Sequence, residues 1–340
     1  MKWKCVYLIQ MFINKLILVK GFSPTQIGSR RFHSFKSIKQ VNTFDCGERD
    51  LQQVIDVAEK AAKTAGEVML KTSGKIEISK TKMNTQDLVT QSDIHCQQLI
   101  KDTILSEFPK DMFLGEEDIE AGSEASVFAL NNALCSDSKS YSKEIGDLLW
   151  IVDPIDGTTN FQSGLPMFCV SIGVVSLQNG SPTVVAGVIY NPVLNEMISA
   201  VKGQGCSLNG MLFKPRSSAM GLNEALINVG FPVSSESTLR VSSKAVSALS
   251  TRVRGIRMIA CASQVMSWVA QGKLSAYVSW DLNAWDVAAG MLIVEESGGF
   301  ISDFEGVAAG ITSRDLIVST SQALSQDILQ ILEEKDCLKY

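Results

Sequence analysis

Histidine is almost missing from this 340-residue chain, which has only His33 and His95. A zinc centre of His and Cys ligands, or a Ser-His-Asp triad, therefore has almost no raw material. His95 follows an acid on a predicted helix, where a surface position or a satisfied partner is expected. The eight cysteines, at 5, 46, 96, 135, 169, 206, 261 and 337, never fall at the two-residue spacing of zinc or redox motifs. Reduced, mostly buried thiols are expected, with Cys169 and Cys261 in core positions. Acid is absent from residues 1–44, which hold eight Lys or Arg, while the remainder carries 23 basic and 36 acidic residues. So acidic a body repels polyanions, which argues against a nucleic-acid partner. Long apolar runs are also lacking: Cys5 to Val19 is short and broken by Gln10, Asn14 and Lys15, short of the roughly 20 apolar residues that span a bilayer. Gly203, Gly205 and Gly210 read as hairpin turns, because no strand-to-helix switch of a nucleotide loop accompanies them.

What remains is a large apolar body. With 45% hydrophobic residues, the chain can bury a core of two domains or one big α/β unit. Residues 1–45, rich in Ser, Arg and Lys after Gly21, read as a transit peptide or disordered leader. That reading sends a soluble protein to a plastid or mitochondrion, with the cytoplasm as the alternative. Residues 46–340 form the folded part. Leu51, Val54, Ile55, Ala58, Ala62, Ala65 and Met69 share one helical face, and a second helix runs from Asp93 to Phe108 until Pro109 stops it. Strand-like runs follow at Leu148 to Val152, Phe168 to Leu177, Thr183 to Tyr190, Glu196 to Val201 and Ala225 to Val229. Helices are expected near Ala262 to Ala270, Asp286 to Ser297 and Leu324 to Leu332. Ile119 to Asp147 is Ser-rich, acidic and weakly periodic, and reads as a surface excursion. A mixed, layered α/β fold is the result.

Three apolar runs end in acids: Phe113-Leu114-Gly115-Glu116-Glu117-Asp118, Trp150-Ile151-Val152-Asp153-Pro154-Ile155-Asp156-Gly157-Thr158-Thr159, and Ala284-Trp285-Asp286-Val287. Taken singly, Asp153 or Asp286 reads as a helix cap and Glu116 to Asp118 as a solvated turn. Together they point to a shared crevice at strand ends, where repelling carboxylates need cations. Magnesium suits an all-oxygen donor set. Pro154 stiffens the path between two of the acids, and Gly157 lets a phosphate approach the backbone amides of Gly157 and Thr158.

These segments resemble the inositol monophosphatase family of lithium-sensitive, magnesium-dependent phosphatases, from about residue 50 to 335. Four blocks carry the resemblance: Lys82 with Asp87-Leu88-Val89-Thr90-Gln91-Ser92-Asp93; Gly115-Glu116-Glu117; Asp153 through Phe161; and Trp285-Asp286-Val287-Ala288-Ala289-Gly290 leading to Gly298-Gly299. The family implies an α/β/α/β/α sandwich, usually a homodimer, that hydrolyses a small phosphate monoester with two or three magnesium ions. It also implies roles. Glu116, Asp153 and the Ile155 carbonyl hold one ion, and Asp153, Asp156 and Asp286 a second. Glu116 and Thr158 orient and deprotonate water, with Asp93 and Asp156 in the same catalytic group. Asp156, Gly157, Thr158, Ala262 and Asp286 contact the substrate, while Lys82 and Thr90 support from behind. The chain departs from the family at Ser279, where inositol-specific members carry a glutamate seven residues before the last metal-binding aspartate. Ala260-Cys261-Ala262-Ser263 likewise replaces a more usual Gly-Ser/Thr-Ala-Ala. Inositol monophosphate or a related polyol or sugar phosphate is the leading substrate. Fructose 1,6-bisphosphate, histidinol phosphate or an adenosine bisphosphate is the alternative, and a catalytically silent regulator the reading of another class.

Overall fold

The computed structural model describes residues 49–75, 78–81, 88–135, 146–178, 182–214, 221–232 and 235–339. The leader and Lys82 lie outside the described residues. Helix α1 (Leu51–Thr72) starts where the Asp50 carboxylate accepts the Gln52 amide at 2.9 Å, a side-chain cap for an otherwise unpaired donor. Its predicted stripe is the buried one, from Val54 and Ile55 through Met69. After the short antiparallel pair β1 (Ile78–Thr81) and β2 (Leu88–Thr90) comes α2 (Gln91–Glu107), two residues earlier than expected. Thr90 and Asp93 form its capping box, which fixes the start.

A seven-stranded sheet follows from β3 (Met112–Gly115), β4 (Leu148–Asp156), β5 (Cys169–Ser176), β6 (Thr183–Asn191), β7 (Glu196–Val201), β8 (Gly205–Leu208) and β9 (Met211–Phe213), in that order. Only the β3 and β4 pair is parallel; the others are antiparallel. The β8–β9 turn places Asn209 and Gly210 at φ +50° and +76°, the hairpin geometry these residues favour. Because strand side chains alternate, Leu148, Trp150 and Val152 face α1 and α2, whereas Leu149 and Ile151 face the opposite side. Strand β4 runs on through Asp156 rather than ending at Val152. It tolerates Pro154 because the pairing with β5 is irregular between Asp153 and Asp156.

The expected surface excursion from Ile119 to Asp147, of which residues 136–145 lie outside the described residues, holds a helix, α3 (Ser123–Leu134), whose Leu130 packs with Leu114 and Trp285. Its weak apolar periodicity reflects a short contact face. Between β4 and β5 lies α4 (Thr158–Ser163); past β9 the chain forms β10 (Leu226–Val229), α5 (Glu236–Ser250), β11 (Gly255–Arg257), α6 (Ala262–Ala270), β12 (Ala276–Ser279), α7 (Ala284–Glu296), β13 (Phe300–Ser302), β14 (Leu316–Ser319) and α8 (Gln322–Glu334). The second sheet has the order β11-β10-β12-β14-β13. Helices α6 and α7 lie between the sheets, joining Cys169, Ile189 and Ile198 of one to Tyr277, Leu316 and Val318 of the other. Helices α5 and α8 cover the far face through Val241, Ala245, Ile328 and Leu332. The layers are thus α/β/α/β/α. No described helix is long and apolar enough to cross a membrane.

Two glycines set how closely α7 approaches the larger sheet. A Cβ added to Gly173 would lie 2.5 Å from the Ala288 Cβ, and one on Gly187 would lie 2.8 Å from the Ala289 carbonyl oxygen. Since α7 carries Asp286 in its first turn, this contact also fixes an acid. Gly173→Ala is expected to lower unfolding free energy by about 1–3 kcal/mol through overpacking and to reduce phosphatase activity. Denaturant unfolding with unchanged midpoint would refute the tight contact.

Candidate active site

The parallel β3–β4 register pairs Gly115 with Val152, so the residues that come next, Glu116 and Asp153, emerge side by side. Their side chains hydrogen-bond each other. Asp153 is 2% exposed, and burial, followed by the charges of Glu116, Asp156 and Asp286, pushes its carboxyl well above the usual range. Asp286 is raised by burial and by Asp156 and Glu116, opposed by the Asn283 amide and Arg314. Asp156 is pushed up to about 6 by burial, with the amides of Ser263 and Ala262 acting the other way. Four acids from three separate segments therefore share one electrostatic environment, as the sequence reading required.

Each acid is also held in place. Asp156 accepts the first amides of α6, from Ala262 at 3.1 Å and Ser263 at 2.5 Å, which complements the positive end of that helix. Asp286 accepts the Asn283 amide at 2.7 Å, and the Ile155 amide donates to Asp153 at 3.1 Å. The helix-cap reading and the shared-crevice reading are thus both true of Asp286, which belongs to the capping box of α7.

Behind the acids, Asp93 is 1% exposed. One carboxylate oxygen accepts the Thr90 amide at 2.8 Å and its hydroxyl at 2.5 Å; the other faces the Thr158 hydroxyl at 3.3 Å. Thr158 also lies 3.1 Å from the Ile155 carbonyl oxygen. Its hydroxyl proton is directed at Asp93 or Ile155, which leaves an oxygen lone pair to accept from a third group. Gly157 has φ +87°, and an added Cβ would sit 2.8 Å from the Met167 carbonyl oxygen, so only glycine suits this turn.

In front of the acids lies a cavity of about 300 Å³, lined by Glu116, Asp156, Ala262 and Asp286 together with Tyr277 and Ser279. Asp153, Gly157 and Thr158 are not among the lining residues. One wall feature escaped the sequence reading. Arg314, the only cation among the described lining residues, follows a Thr-Ser turn that carries no motif. Its guanidinium binds the Asp281 carboxylate at 2.6 Å, Asn283 at 3.1 Å and Ser126 of α3 at 3.1 Å. Ser123 adds a bond to Asp281 at 3.0 Å. His95 is exposed, as expected, and Trp285 is packed against α3 and β4.

A sequence profile of the inositol monophosphatase family matches residues 50–336. The chain belongs to the inositol monophosphatase family. It is 31% identical over 280 residues to a Thermotoga maritima fructose-1,6-bisphosphatase/inositol-1-monophosphatase, covering 82% of this chain and 96% of that one. It is 34% identical to tomato (Solanum lycopersicum) inositol monophosphatase 1 over 286 residues, 83% of this chain and 96% of the relative. A solved Thermotoga maritima IMPase superposes with a TM-score of 0.69 at 30% identity, covering 84% of this chain and 98% of that structure. Family membership makes the chain a phosphoric monoester hydrolase with the layered fold described above. For the hydroxyl contact at Thr158, Thr158→Val is expected to reduce turnover by about 10–100-fold with little change in melting temperature; kcat measurements at saturating substrate would test it.

Proposed function

We propose that this phosphatase hydrolyses a small polyol or sugar monophosphate at the cavity between Glu116, Asp156 and Asp286, with divalent metal ions held by Glu116, Asp153, the Ile155 carbonyl, Asp156 and Asp286. The observation that carries the reading is the convergence of four carboxylates whose charges repel one another in a buried place. Donors that are all oxygen, and acids that ionise together only beside a cation, fit magnesium. Bound magnesium supplies Lewis acidity toward the phosphoryl oxygens and makes water more acidic.

The chain's own groups complete the chemistry. Glu116, at the cavity wall, orients the attacking water and accepts its proton. The Thr158 oxygen accepts a second hydrogen of that water, because its own proton is already directed at Asp93 or Ile155. Thr90 holds Asp93 in position for this. The amides of Gly157 and Thr158 open α4, where the first backbone donors have no intrahelical acceptor, and they bind phosphate oxygens. Ala262 leaves space for the substrate at the start of α6, and its amide stays committed to Asp156. No side chain becomes covalently phosphorylated in this scheme.

Substrate preference follows from the wall. Arg314 is already paired with Asp281, Asn283 and Ser126, so the described lining has no spare cation for a second phosphate. That supports monophosphates over bisphosphates. Ser279 ends β12 in the lining, hydrogen-bonded to Tyr277, and offers no carboxylate to sugar-like hydroxyls. A looser preference for inositol than in glutamate-bearing relatives follows.

A phosphate-release panel with and without magnesium tests the reading. Asp153→Asn is expected to lower magnesium-dependent turnover by at least about 10³-fold. By removing one of the repelling charges, it is also expected to raise the melting temperature of the metal-free protein by roughly 2–4 °C. Wild-type turnover in that variant would sink the metal-ligand assignment. Ser279→Glu is expected to raise the inositol monophosphate preference, as kcat/KM relative to other monoesters, by roughly tenfold. An unchanged ratio would show that position 279 does not set it.

A further inference from the structure

At the cavity wall, two cysteines far apart in sequence meet. Cys169 begins β5 opposite Asp156 in the β4 register, and Cys261 caps the N-terminus of α6. Their sulfurs are 3.6 Å apart, and the Cys261 thiol lies 3.3 Å from the Asp156 carbonyl oxygen. One carboxylate oxygen of Asp156 and the two sulfurs all lie within 4.8 Å of one another. Both thiols are buried, at 0% and 2% exposure. Only Cys261 and Asp156 reach the cavity, so an ion entering from solvent meets those two first.

The spacing has a chemical meaning. Zinc bonds thiolate sulfur at about 2.3 Å in tetrahedral sites, which puts two sulfurs about 3.8 Å apart. The observed separation is within a few tenths of an ångström of that edge. A disulfide needs about 2.05 Å and would require the backbones to close. The donor set is softer than the carboxylate cluster in front of it, because thiolates select zinc, cadmium or cobalt over magnesium.

We propose that Cys169, Cys261 and the Asp156 carboxylate form a second metal site, selective for a thiophilic divalent cation such as zinc, and that its occupation inhibits hydrolysis. On binding, each thiol releases its proton to solvent as its sulfur bonds the ion, and a water on the cavity side completes four ligands. Asp156 is then drawn toward the sulfurs and away from the magnesium cluster. Binding itself is independent of the proposed reaction; the inhibition rests on the role given above to Asp156.

The test uses the full, reduced, chelator-treated chain with cobalt(II) and zinc as probes. Cobalt is expected to give thiolate charge-transfer and tetrahedral ligand-field absorption that zinc abolishes. Cys169→Ala and Cys261→Ser are each expected to weaken this binding by about 100-fold. Cys169 lies outside the cavity, and Cys169→Ala is expected to keep its magnesium-dependent turnover while the zinc concentration for half-inhibition rises by a similar factor. Absence of a thiolate band, or a band unchanged in both variants, would overturn the site. Thiolate binding without any change in zinc inhibition in Cys169→Ala would overturn the inhibitory role alone. If the wild-type chain released no phosphate, the cobalt spectra would still decide the site, so failure of the proposed function is distinguishable.

Discussion

The constraint on which this molecule turns is the repulsion among Glu116, Asp153, Asp156 and Asp286. Ionised carboxylates are costly to bury, and clustering them multiplies the cost. A fold that assembles such a group must hold it together by other means. Here the restraint is mechanical and local: amides of α6 hold Asp156, the Asn283 amide holds Asp286, and the parallel register of β3 and β4 sets Glu116 beside Asp153. The resulting excess of negative potential is what makes the place attractive to hard cations, and those in turn make it hospitable to a phosphate dianion. An acidic protein can thus act on acidic metabolites.

Much of this was legible in the residues. Acids directly after apolar runs mark strand ends, and the spacing from Asp153 to Thr159 encodes a turn with a required glycine, which Gly157 occupies at positive φ. The stripe from Val54 to Met69 is periodic enough to be read without coordinates, and the start of β4 shows as an unbroken apolar run. Other features were hidden for physical reasons. Helix α3 buries only Ser126 and Leu130, too little apolar surface to print a period on the sequence. Arg314 reaches the cavity only because β14 brings its turn alongside α7, a long-range outcome without a local signature. The extension of β4 through Pro154 depends on the irregular pairing with β5, which a proline-based rule places as a stop.

Cysteine shows the difference between composition and placement. The chain has no close Cys spacing of the zinc-motif kind, and five of the six described cysteines are buried. Yet Cys169 and Cys261, 92 positions apart, meet because the strand that follows the α4 turn runs back past the start of α6. Sequence spacing constrains ligands on one local segment. It says nothing of ligands delivered by a sheet and a helix that cross.

The glycine contacts of α7 have a consequence for how such an enzyme diversifies. Where helix and sheet touch through Gly173 and Gly187, the distance between Asp286 and the acids of β4 is set by backbone thickness, a quantity that ordinary side-chain substitution cannot tune. The outer rim of the cavity is drawn from β12, the loop after β10 and the turn that carries Arg314, and there the closest glycine contact, Gly230 against Ser279, meets a side chain first rather than the backbone of a helix. Drift at the rim can therefore reshape which metabolite fits, while the separation of the reacting groups stays ruled like the jaws of a fixed spanner.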